Sequence, residues 1–172
     1  MKKNLIIHRG LYVIVLLLFF SCSIKKFIPE GERLYTGASL KIELDSLVKV
    51  KELKTVETQL NSVIKPVPNT SFLGMRPALY FHYKAQKEKP GFLNKFLNNS
   101  FGEEPVYFSS VNTKRIKDLM LNRLDNNGFF FSKANSEVKL EEKFASVSYT
   151  TRLPEPYLLE NYKLESDSLP IY

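Results

Sequence analysis

A helix signature that stops on a glycine and passes at once into two alternating strands constrains this chain more than any other stretch. Asn112 carries the kind of side-chain oxygen that caps a first helical turn. Ile116, Leu119, Met120 and Leu124 follow at i, i+3, i+4 and i+8, one apolar face of a helix. Gly128 reaches the left-handed conformation without a Cβ penalty. With Gly128 at C′, Leu124 and Phe129 occupy C3 and C″ of a Schellman stop. Beyond it the period changes to two. Ala134, Ser136, Val138 and Leu140 alternate with Lys133, Asn135, Glu137 and Lys139. After a polar Glu141-Glu142-Lys143 turn, Ala145, Val147, Tyr149, Thr151 and Leu153 alternate with Ser146, Ser148, Thr150 and Arg152. A two-stranded hairpin is marginal alone in water, so its apolar face needs cover, and the preceding helix is the nearest candidate.

Upstream, Leu34 to Leu44 reads as a strand, with Ala38, Leu40, Ile42 and Leu44 on one face and Ser39, Lys41 and Glu43 on the other. Val50 to Ile64 has the helical period, and Leu53, Val56, Leu60, Val63 and Ile64 form its apolar face. The Lys65-Pro66-Val67-Pro68-Asn69 run stops it, because proline donates no amide proton and restrains the residue before it. The stretch from Ser71 to Phe108 is dense in aromatics and irregular, with short helices expected at 78–84 and 92–98. Aromatics in such numbers read as core or interface. From Pro154 a new strand begins, with Tyr157, Leu159 and Leu164 available for burial. The expected fold is therefore α+β: a β-α-α-β-β order, a three-stranded mixed sheet and two main helices on one face.

The first 22 residues read as an address. Lys2, Lys3 and Arg9 form a positive n-region, Leu11 to Phe20 an apolar core, and Ser21-Cys22 closes it. That core is shorter than the roughly 20 apolar residues of a membrane span. Leu18-Phe19-Phe20-Ser21-Cys22 resembles the lipobox of bacterial lipoproteins, which makes Cys22 the expected lipid-attachment residue. An uncleaved signal anchor with Cys22 incidental is the competing reading. On the first, 1–21 is signal peptide and 22–32 a tether.

The charge of +7 includes the leader's three cations and elsewhere mixes with acidic neighbours, so it forms no nucleic-acid stripe. With a single cysteine, no internal disulfide is possible, and two histidines, one of them in the leader, make no ordinary zinc site. Nucleophile-elbow and phosphate-cradling glycine motifs are missing. Adjacent Glu103 and Glu104 read as a solvated loop. No catalytic residue, metal or cofactor is expected, and the chain is read as a non-enzyme.

Four blocks, Gly31–Ile42, Asn69–Pro77, Gly102–Tyr107 and Leu124–Phe130, resemble in sequence and order the N-terminal part of the BamA/TamA-type assembly factors. They are most similar to the lipidated TamA-like proteins of Bacteroidetes, a resemblance that runs from Cys22 to about Asp167. It departs from the family at Glu104, where proline is expected. The resemblance implies a POTRA-like domain over 33–153 with an aromatic insertion at about 66–108, and a truncated second unit over 154–172. Such relatives continue into further POTRA units and an outer-membrane barrel; no series of about ten-residue alternating segments follows here.

The implied function is a docking module that binds polypeptide by β-augmentation, with Lys133–Leu140 as the edge strand and Lys133, Asn135, Glu137 and Lys139 as its partner-binding residues. The implied partners are unfolded outer-membrane or exported polypeptides, a TamB-like inner-membrane protein, neighbouring POTRA domains and the barrel. Nucleic acid is not among them. Charges on that strand serve equally to keep edges from aggregating. Ser23-Ile24-Lys25-Lys26 carries no acidic run behind Cys22, which for this group implies an outer-membrane anchor facing the periplasm. Asp45-Ser46-Leu47 and Asp167-Ser168-Leu169 resemble its O-glycosylation acceptor, at Ser46 and Ser168. The alternative function is a stand-alone lipid-anchored envelope protein that binds a ligand through the aromatic 72–108 region.

Overall fold

The computed structural model describes residues 24–45 and 50–158, with 161 and 163. Cys22, Ser46, Ser168, Leu159 and Leu164, with the signal segment and most of the second unit expected after Pro154, lie outside the described residues.

The elements run β1 (Leu34–Leu44), α1 (Val50–Val63), α2 (Pro77–Ala85), α3 (Phe92–Phe101), α4 (Thr113–Asn126), β2 (Lys133–Leu140) and β3 (Phe144–Leu153). Short 3-10 turns occupy Lys25–Phe27 and Phe108–Ser110. The architecture is α+β, with a three-stranded sheet ordered β1-β3-β2. The sheet is mixed. β1 meets Lys143 at its start (Leu34 N–H to Lys143 C=O, 3.0 Å) and Leu153 at its end (Asp45 N–H to Leu153 C=O, 3.0 Å), so it runs parallel to β3. The hairpin closes antiparallel, Glu141 N–H donating to Phe144 C=O at 2.8 Å.

Two compact units divide the chain, and their boundaries cut through the strands. The first takes residues 24–39, 65–112 and 137–148. Its core cluster is Ile24, Ile28, Leu34 and Leu79, bordered by Tyr80, Tyr83, Tyr107 and Phe144. Within the stretch expected as a tether over 22–32, two residues are packed: Ile24 is 5% and Ile28 4% exposed. Phe27 lies stacked on Tyr83, centroids 5.4 Å apart, and edge-on to Tyr80. Lys143 Nζ donates to the carbonyls of Ile28 and Pro29, each at 3.2 Å. A short run of apolar and basic residues looks like linker in sequence; its burial comes from residues distant in sequence, among them Leu79, Tyr80 and Tyr83 of α2. Those two expected helices are present in the aromatic stretch, and α2 packs against α3.

The second unit takes 40–64, 113–136 and the chain from 149 onward. Here α1 packs on α4, and Val56, Leu60 and Val63 are buried with Ile116, Met120 and Leu124. Leu119 was expected on the same face and instead is 40% exposed, so the stripe narrows to i, i+4 and i+8. β3 buries Tyr149, Thr151 and Leu153, as its alternation predicts.

The stop of α4 has the expected form. Gly128 N–H donates to Asp125 C=O at 2.9 Å and Phe129 N–H to Leu124 C=O at 3.0 Å, with Gly128 at φ +83°. Residues 154–158 form no strand. They run back over the stop, where Tyr157 N–H donates to Gly128 C=O at 2.8 Å. Tyr157 remains 63% exposed, its ring edge-on to Phe130.

Candidate functional site

A strand at the edge of a sheet offers every second N–H and C=O pair to whatever lies outside it. β1 and β2 are the two edge strands here. The start of β1 is covered by the chain itself. Tyr35 N–H donates to Val106 C=O at 2.8 Å and Arg33 C=O accepts from Phe108 N–H at 2.8 Å, around an antiparallel bridge between Leu34 and Tyr107. β2 differs: among the described residues, no main-chain group from outside the sheet bonds to Lys133–Leu140.

The closing bond of the hairpin sets which groups of β2 are free. Glu141 bonds toward β3. Alternation then turns the N–H and C=O of Lys139, Glu137, Asn135 and Lys133 toward β3, and those of Leu140, Val138, Ser136 and Ala134 away from it. The residues expected to bind a partner and the residues with outward main-chain groups are therefore different sets. Lys133, Asn135, Glu137 and Lys139 have exposed side chains on the polar face, level with Ser146, Ser148, Thr150 and Arg152. Their main-chain groups already serve the ladder. The groups available to an added strand belong to Ala134, Ser136, Val138 and Leu140. Side-chain pattern points to the charged positions, whereas strand addition uses backbone, whose facing depends on turn register.

The second half of β2 is also barer than its alternation suggests. Val138 is 42% and Leu140 54% exposed, although they share the face on which Ala145 and Val147 are buried. A further strand alongside would shield both. Lys139 and Glu141 form an exposed ion pair at 3.2 Å, worth under about 1 kcal/mol in water.

In the first unit, two of the four sequence blocks, Asn69–Pro77 and Gly102–Tyr107, meet at one polar node. Asn69, 7% exposed, accepts the Val106 N–H at 2.8 Å and donates from Nδ2 to Glu104 C=O at 2.7 Å and Glu103 Oε2 at 3.1 Å. Glu103 Oε2 also accepts the Thr70 N–H at 2.9 Å, and Arg76 donates to the Asn69 carbonyl. Glu103 is therefore a clasp and not a solvated loop residue. Its bond to Thr70, then Asn69 and the Arg76 charge, hold its carboxyl below the ordinary glutamate value against a smaller opposing effect of burial. Burial lowers the Arg76 guanidinium. This node fixes residues 106–108 along the beginning of β1 and so covers the start of that edge of the sheet. No local signal reveals it, since Asn69 and Glu103 are far apart in sequence.

The aromatic 72–108 region divides in two. Tyr80, Tyr83 and Tyr107 border the core, and the Tyr83 and Tyr107 hydroxyls meet at 2.9 Å. Burial, then that hydrogen bond, raises the Tyr83 phenol well above its usual value. Phe72, Phe92, Phe96 and Phe101 are all more than half exposed. His82 lies on α2 beside Gln86, with ring nitrogen and amide 3.4 Å apart. Among the described residues, no group of three or more His, Cys, Asp or Glu is placed to hold a metal ion, and no helix is long and apolar enough to cross a membrane. No protein-family model, curated protein or solved structure matches this chain.

Proposed function

We propose that this chain is a non-enzymatic docking module of an outer-membrane assembly or translocation factor, held by lipid on Cys22 and facing the periplasm. It resembles the POTRA-bearing TamA-like factors in four ordered sequence blocks. Its clients are unfolded outer-membrane or exported polypeptides, which add to the sheet as a further strand along β2. A TamB-like inner-membrane protein and neighbouring POTRA units use the same kind of edge.

The observation that carries this reading is the asymmetry of the sheet. One edge is covered at its start by residues 106–108, and the other keeps its outward groups. Main-chain hydrogen bonds give such a margin tolerance for many sequences, as a client-handling module requires. The half-exposed Val138 and Leu140 add apolar surface for an incoming strand to cover.

Proline separates capture from folding. Ser136→Pro deletes an outward N–H and leaves the ladder to β3 complete, a position edge strands tolerate. The variant keeps its thermal midpoint within a few degrees and loses binding of a fluorescein-labelled peptide that alternates apolar and polar residues. Glu137→Pro, one residue on, removes an inward donor and unfolds the hairpin at a cost of about 3 kcal/mol. Undiminished peptide binding by folded Ser136→Pro rejects the proposal.

A further inference from the structure

The first unit carries a second exposed feature that strand capture does not use. α3 places Phe92, Leu93 and Phe96 within an arc of about 100° on its outward side, given 100° of turn per residue. They are 87%, 65% and 56% exposed. Phe101, at the end of the helix, is also exposed. A soluble helix ordinarily turns such residues inward.

Near the C-terminal end of α3, where Thr70 is bonded to Glu103, sits a tight turn with its own exposed pair, Phe72 and Leu73. Phe72 and Met75 exchange both main-chain bonds, at 2.8 and 2.9 Å, and the two residues between them have positive φ, Leu73 at +48° and Gly74 at +76°. Asparagine or glycine suits the first of these positions; leucine is held there at a cost of about 1 kcal/mol and is 74% exposed. Backbone strain that presents an apolar side chain to water has no return inside the unit.

Charge and covalent geometry select the partner. The chain between α2 and α3 and the first turns of α3 carry exposed Lys87, Lys89 and Lys95 against Glu88 alone. Exposed apolar side chains on a helix with exposed lysines beside them in sequence match a lipid interface with acidic headgroups better than a protein groove. The anchor points the same way. Ile24 is packed in the core cluster and a single residue, Ser23, separates it in sequence from Cys22, so the point where an acyl group would be attached is at most about 7 Å of extended chain from Ile24. A leash so short keeps the first unit against the bilayer.

We propose that the exposed face of α3, with the Phe72-Leu73 turn, is an interfacial docking surface for a bilayer containing acidic phospholipid. The leash part rests on the anchored reading given above; the exposed face and the lysines do not.

The chain has no tryptophan, so Phe96→Trp gives a single reporter. In the acylated protein mixed with vesicles of phosphatidylethanolamine and phosphatidylglycerol, its emission shifts to the blue. Bromine on the acyl chains then removes most of it. Lys87→Ala with Lys89→Ala weakens that quenching, each lysine counting for about fivefold in partition onto an acidic surface. A tryptophan that keeps a water-like, unquenched emission while the protein sediments with the vesicles overturns the proposal. So does failure to sediment, or quenching of equal extent on phosphatidylcholine. The readout is separate from strand capture: quenching without peptide binding rejects the docking module and leaves this surface standing.

Discussion

Gly128→Ala is expected to cost about 2–3 kcal/mol of unfolding free energy, far more than the few tenths typical of a surface glycine. Two effects add. The φ of +83° is left-handed, where any Cβ meets the following carbonyl, worth about 1 kcal/mol. A Cβ built there would also stand 2.6 Å from the Tyr157 carbonyl oxygen, a backbone atom that cannot rotate away. Residues 154–158 then have to move, with loss of the Tyr157 N–H bond to Gly128, about another 1 kcal/mol. Gly128→Asn separates the two, because asparagine tolerates the left-handed conformation but brings the same Cβ. Urea denaturation of both variants should show asparagine recovering less than half of the loss. Full recovery would mean that conformation alone governs the site and that the 154–158 segment is not seated there.

Asn69→Ala is expected to cost about 2 kcal/mol, since it strips the partners from a part-buried N–H at Val106 and a carbonyl at Glu104 in one step. The damage should reach further than the node. With residues 106–108 released, the beginning of β1 becomes a second open margin, and aggregation at moderate concentration should rise with the loss of stability.

Acid should act on the same node. The Glu103 carboxyl is held below its ordinary value in the folded chain. Its contribution is therefore complete above the unfolded glutamate pKa and is lost as pH falls through the lower folded value. Glu103→Gln should be less stable than the parent at neutral pH and show a shallower decline below about pH 4.5. Parallel declines in the two proteins would remove Glu103 from the clasp.

What the sequence makes legible here is local. The Leu124, Gly128 and Phe129 stop, the alternation of β3 and the helical face of α1 each depend on neighbours within a turn or a strand, and each is where the pattern places it. Residues whose roles come from distant chain are misread. Ile24 and Ile28 look like tether until Leu34 and Leu79 are beside them, and Glu103 looks solvated until the turn at 69–70 folds back. Leu119 fits the helical period yet is left exposed, because the covered stripe of α4 is only as wide as its packing against α1 allows. For the candidate site, the strand and its place at the edge followed from pattern and resemblance. The residues that offer bonds did not, since that depends on the register of a turn and on main-chain atoms that composition does not display.

Amide hydrogen exchange along β2 tests the central claim most directly. When the alternating peptide is added, the N–H groups of Ala134, Ser136, Val138 and Leu140 should exchange more slowly, while those of Lys133, Asn135, Glu137 and Lys139, already bonded to β3, should not change. Outward amides that are protected in the free chain, or that exchange as fast with peptide bound as without it, would contradict an open margin that receives a strand.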